Sequence, residues 1–262
     1  MKATITTCWS AALIITITNS LLGQSPKTNI VGGSKPSISQ RVGGFLIDYK
    51  SAKGEYVFIN CQSRIDIRLI KGMSIGLMND FNWIISIQEG DKSIISIEDA
   101  IGQKNKYNAL AGTLFIDSDT LPVMTIVPES NLAIINVKEL TIDSSKKILV
   151  DNRLIRESLR AFAFSLGAGY STFENGVMQP ILSASELDRF SSNFLSPDTA
   201  NAILQNGLKI GFKPYRRTTY KRACKEGWAP APTNEFQKAI WDKVHAAPKA
   251  PMKIEFDPKK GR

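Results

Sequence analysis

The sequence predicts an all-β fold, two antiparallel barrels or a sandwich, followed by a basic C-terminal tail containing one helix. Three observations lead there. Short apolar runs rich in Ile, Val and Phe recur between turn residues. Some alternate, Asp66 and Arg68 facing away from Ile65, Ile67 and Leu69 in period two. Helical patterns are scarce before residue 213.

The expected strands, in order, are RVGGFLIDY, GEYVFINCQ, SRIDIRLI, FNWIISIQ, KSIISIE, GTLFID, VMTIV, LAIINVK, KKILV, RAFAFSLG, GVMQPILSA and GLKIGF. A polar, turn-prone stretch at 139–147 divides them into a first half of about 38–140 and a second of about 148–212. Residues 214–232 carry no strand pattern, and the last residues, MKIEFDPKKGR, either add one strand or stay loose. Thr233 caps a helix over 234–247 that places Phe236, Ile240 and Val244 on one face, with Trp241 beside them, to pack partly onto the body.

Ahead of the body, residues 1–25 read as an export signal. Lys2 is the only charge before Lys27, and Thr7 to Gly23 is apolar but short for a membrane span. The mature chain is expected to be exported, periplasmic or secreted, with no transmembrane domain once the signal is removed. A retained single-helix anchor is the alternative. Export implies an oxidising compartment, where Cys61 and Cys224 either form a disulfide or stand as two separate buried thiols.

With 262 residues, 43% hydrophobic and 22% charged, the chain is neither disordered nor collagen-like. Its net charge of +9 is uneven. Residues 213–262 hold 13 Lys and Arg against 5 Asp and Glu, which leaves 24–212 neutral. Such a tail favours anionic surfaces or polyanions; nucleic acid is not an expected partner of an exported protein. No P-loop, G-x-G-x-x-G, H-E-x-x-H or C-x-x-C motif is present, and no cofactor or metal is expected. The single histidine, His245, reads as structural, and Asp117 and Asp119 as turn residues.

Four stretches resemble the trypsin-like serine proteases, above all the bacterial HtrA-type branch. Val42–Asp48 resembles the opening G-S-G-F-I-I-D strand, and Tyr56–Gln62 the Y-I-L-T-N-A-H segment that ends in the general base. Ser130–Ile135 resembles N-D-L-A-L-L, and Ala163–Gly169 with Gly176-Val177 the later A-I-G-N-P-L-G and G-I-V-S. The resemblance implies two six-stranded-type barrels over residues 26–212, with a peptide- or protein-binding cleft between them. It also implies lost catalysis. Gln62 stands for the histidine, Asn131 for the aspartate and Thr199 for the serine, while Pro197, which has no N–H, replaces an oxyanion-hole glycine. Ser196-Pro197-Asp198-Thr199 reads equally as a helix start with Ser196 as N-cap and Gly207 as its close. The implied function is an exported pseudoprotease that binds peptides. The alternatives are a divergent serine endopeptidase with residual activity and an envelope-associated protein binding polyanions through its tail.

Overall fold

The structure is a computed structural model that describes residues 45–246, apart from 63, 64, 95, 143–145 and 175. Every described residue belongs to one compact unit. The expected signal segment lies outside the described residues.

In chain order the first half consists of β1 (Phe45–Asp48), β2 (Glu55–Asn60), α1 (Ile67–Phe81), β3 (Ile84–Glu89), α2 (Ile97–Lys106), β4 (Ala111–Ile116), β5 (Met124–Val127) and β6 (Leu132–Asn136). There follow α3 (Val137–Leu140), α4 (Lys147–Ser165), α5 (Pro197–Ile210), β7 (Arg216–Thr219), α6 (Tyr220–Lys225) and α7 (Glu235–Ala246). The architecture is mixed α/β with no closed barrel among the described residues, which overturns the expected all-β double barrel and, with it, the trypsin-like resemblance.

The main sheet runs β3-β2-β4-β6-β5. Its first four strands are mutually parallel, and β5 alone runs antiparallel, paired with β6 at one edge. Parallel neighbours need crossover connections, which α1 and α2 supply. Helices cover both faces. Tyr56, Phe58, Phe115 and Ile135 meet α1 and α4 through Ile70, Leu77 and Phe162. Val57, Ile59, Leu114 and Ile134 meet α2 through Ala100, Ile97 and Ile101. Strands buried on two faces read as unbroken apolar runs rather than alternating ones, and β2, β4 and β6 have that character. Through the core, Tyr56 Oη shares hydrogen bonds with Thr113 Oγ1 at 2.6 Å and Ser165 Oγ at 2.9 Å, joining β2, β4 and α4.

Several expected strands are helices. SRIDIRLI alternates only up to Leu69. Beyond it, Ile70, Met73, Ser74, Leu77 and Phe81 are buried at helical spacing, Asp66 caps the helix by accepting from Arg68 N, and α1 ends at Asn82 with φ 54°. KKILV and RAFAFSLG belong to one helix, α4, which is buried on nearly every side from Arg153 to Ala163 and so shows no one-sided stripe. GVMQPILSA is irregular before a short 3-10 turn at Ala184–Arg189. GLKIGF spans the end of α5, where Gly207 lies against the Trp83 indole so closely that a Cβ has no room. Ser196 caps α5 by accepting from Thr199 N at 3.2 Å, with Pro197 in the first turn, so the helix start prevails over the nucleophile loop. Gly211, at φ 113°, closes α5 in place of the expected Gly207.

Residues 213–246 are not a loose extension. β7 pairs antiparallel with β1, and Leu46 clusters with Tyr220, Ala223 and Cys224 under Ile240, Trp241 and Val244 of α7. Phe236, expected to pack inward, is 76% exposed. No helix among the described residues is long and apolar enough to cross a membrane.

Candidate functional site

The positions singled out by the protease resemblance do not assemble. Gln62 follows the C-terminal end of β2, its N–H donating to Asn60 Oδ1. Asn131 precedes the N-terminal end of β6, in a left-handed conformation at φ 48°. The parallel registers set Asn60 level with Phe115 and Ile135, so Gln62 and Asn131 lie at opposite ends of the sheet, about 20 Å apart along the strands. Thr199 is buried in α5 with its hydroxyl bonded to Ser196 Oγ at 2.9 Å, and Pro197 occupies the first turn of that helix. Among the described residues there are no two barrels and hence no cleft between them.

Other expected residues have structural partners. Cys61 and Cys224 are buried free thiols in separate apolar clusters, with no disulfide between them, and burial pushes the Cys61 thiol up to about 11. His245 stacks on Trp241 with ring centroids 4.1 Å apart and bonds its main-chain oxygen through Nδ1. Asp119 pairs with Lys138, which holds its carboxyl below the usual range.

The built site lies elsewhere, on α4. A cleft of about 430 Å³ opens between edge strand β5 and the segment 181–185. Met124 and Ile126 form one wall, Leu182 and Ser183 the other, and Glu157, Arg160 and Phe164 of α4 the base. Leu182 is 96% exposed and Tyr170, also lining the cleft, 64% exposed, so its rim is apolar. Below the rim, Glu157 and Arg160 form an ion pair with Nε–Oε2 2.9 Å and side chains 1% and 3% exposed. Burial raises the Glu157 carboxyl to about 7, against the opposing pull of Arg160.

Three buried arginines, 153, 156 and 160, project from α4 and hold the chain that returns over it. Arg153 makes a two-pronged pair with Asp188, at 3.0 and 2.7 Å, and donates to the Leu140 and Ile142 carbonyls. Arg156 donates to Leu187 O at 2.6 Å and Asn193 Oδ1 at 2.8 Å. Arg160 Nη1 donates to Val177 O and Gln179 O, each at 2.6 Å. Every buried guanidinium thus meets carbonyl or carboxylate oxygen, as its desolvation requires.

No known protein family and no curated protein matches the sequence. Two solved structures resemble part of the fold. One is archaemetzincin from Methanopyrus kandleri, at 15% identity and TM-score 0.44, covering 60% of this chain and 96% of that one. The other is a zinc-dependent peptidase from Methanocorpusculum labreanum, at 14% identity and TM-score 0.45, covering 57% and 100%. Neither likeness is close enough to carry an activity or a ligand set to this chain.

The chain's own residues decide whether zinc fits. Arg156-Glu157-Ser158-Leu159-Arg160 has the spacing of the H-E-x-x-H motif, with arginine at each histidine position. In the longer form H-E-x-x-H-x-x-G-x-x-H, Ala163 and Leu166 stand at the glycine and the third histidine. Zinc takes imidazole, thiolate or carboxylate ligands, and a guanidinium offers five donors and no lone pair. Among the described residues no group of three or more His, Cys, Asp or Glu could hold a metal ion. The α4 residues do not fit zinc. A search for H-E-x-x-H passes over this helix because only the glutamate matches. The signal it leaves in the sequence is three arginines at helical spacing among Leu154, Ile155 and Leu159, with Glu157 and Ser158 between them.

Proposed function

We propose that this protein binds an extended polypeptide segment in the cleft beside β5 and does not hydrolyse it through a zinc centre on α4. The observation that carries the reading is the position of β5. It is an antiparallel strand with β6 on one side only, and its Met124 and Ile126 line the cleft. An unpaired strand edge offers main-chain donors and acceptors to an added strand, and an apolar channel alongside accepts every second side chain. Exposed Leu182 and Tyr170 supply the opposite rim. The hydrolysis named for the similar zinc peptidases is not part of the proposal, because arginine replaces both histidines of the α4 motif.

The test selects short peptides from a displayed random library on the full chain. Binding of synthetic copies is then measured by fluorescence anisotropy, with mass spectrometry to establish whether they stay intact. The proposal expects Leu182→Asp to weaken binding by about tenfold or more. It also expects backbone N-methylation at alternate peptide positions to abolish binding while the peptides remain uncut. Selected peptides that tolerate N-methylation at every position and ignore Leu182→Asp refute it.

A second reading is favoured by the exposed cations of the C-terminal region. Arg216 and Arg217 of β7 are both exposed, with Lys221, Arg222 and Lys225 of α6 following directly. This face suits a polyanion. Salt-sensitive retention on heparin, reduced by charge reversal at Arg217 and Lys221, supports it; unchanged retention in that variant removes it.

A further inference from the structure

The segment after α4 must be fastened to it across a cleft, and the fastening is made by α4's own cations. Met178 is the centre of this contact. It lies in a turn, 1% exposed, and the carbonyls on either side of it, Val177 O and Gln179 O, are the two that Arg160 Nη1 holds. One turn earlier on α4, Arg156 holds Leu187 O and Asn193 in the same manner. These two arginines are the residues at the histidine positions of the H-E-x-x-H spacing, and a buried methionine turn follows the helix as in the longer form of that motif.

We infer that α4 is a zinc-motif helix in which guanidinium groups have taken over the joining work of a metal, Arg160 anchoring the Met178 turn and Arg156 the 187–193 segment. The substitution is chemically coherent. A metal gathers lone pairs from several segments around one cation; a guanidinium gathers carbonyl oxygens around one cation through fixed N–H groups. The groups facing Arg156 and Arg160 are main-chain carbonyls and an amide oxygen, each accepting a guanidinium N–H, while the two motif positions themselves bring only donors. Glu157, the one retained motif residue, is held by Arg160 instead of being free to orient a water. The cleft therefore keeps its shape without any metal.

The test uses the full chain and reads metal binding and local opening separately. Cobalt(II) is titrated in and followed by visible absorption, and hydrogen exchange of residues 176–193 is measured with and without EDTA. The inference expects no stoichiometric tetrahedral cobalt spectrum and equal protection in both conditions. It expects Arg160→Met to speed exchange in 176–181 by about tenfold, the scale of losing one to two net hydrogen bonds, with α4's own amides still protected. Because that variant strands Glu157, Arg160→Met with Glu157→Gln serves as the charge-balanced partner and must show the same local opening. A one-to-one cobalt spectrum, protection that EDTA removes, or unchanged exchange in the balanced variant overturns the inference.

Discussion

Glu157 and Arg160 sit one turn apart on α4 and pair at 2.9 Å beneath the cleft, both almost wholly removed from solvent. Burial moves the carboxyl from 4.5 to about 7, so between those values the folded protein holds a proton that the unfolded chain has released. Stability from this group therefore falls as pH rises from about 4.5 through 7 and levels off above it, a change on the order of 3 kcal/mol. Urea unfolding of wild type and Glu157→Gln across that range gives the check. The difference between the two curves should shrink toward acid pH, and a constant difference would mean that Glu157 stays ionised throughout.

Arg153 is 2% exposed and commits its fork to Asp188 and its remaining donor to two carbonyls. Arg153→Met should cost about 3 kcal/mol, since it leaves a carboxylate and two acceptors without their cation. Asp188 keeps some solvent access, so adding Asp188→Ala should return part of that loss. Denaturant midpoints of the single and double variants measure both.

The Tyr56 hydroxyl links Thr113 to Ser165, and Ser165 Oγ also donates to Phe162 O. Tyr56→Phe should therefore cost only about 1 kcal/mol, most of it from Thr113. Thermal unfolding can resolve this, and a loss several times larger would show that the hydroxyl carries more of the sheet-to-helix contact than its partners indicate.

At Gly207 a methyl group would enter the Trp83 indole, which is itself stacked on Phe212 with centroids 4.6 Å apart. Gly207→Ala should destabilise by about 2 kcal/mol despite the better helix propensity of alanine. Trp83→Leu in the same chain should make the alanine far less costly, a non-additivity that a double-mutant cycle reads directly.

The strand runs Tyr56–Ile59, Leu114–Ile116 and Leu132–Ile135 were legible in the sequence as β, because β-branched and aromatic residues dominate them. Their parallel arrangement was also written there, in the absence of alternation, but an expectation of hairpins hid it. Helix α1 was masked by five alternating residues at its start, a window too short to separate period two from period 3.6. Helix α4 was harder: a segment buried on all sides has no polar face, so Lys147–Val150 and Arg160–Gly167 looked like separate strands. The site suffered most. Gln62, Asn131 and Thr199 fall in the order of short family motifs, and sequence order alone does not show that the fold sends them to different places. Arg156, Glu157 and Arg160 passed unnoticed because buried arginines make sense only once the carbonyls of residues 177, 179 and 187 are known to face them.

The ribbon formed by β1 and β7 joins Phe45 to Thr219, nearly the whole length of the described chain. On a ribosome β1 emerges early and waits, with Leu46 and Ile47 uncovered, until Thr219 has been made. The separate five-stranded sheet closes among residues 55–136 and has no such delay. Closure of this ribbon thus requires synthesis at least as far as Thr219. A product truncated before β7 would leave β1 unpaired with Leu46 and Ile47 uncovered, the kind of surface that chaperones and proteases recognise.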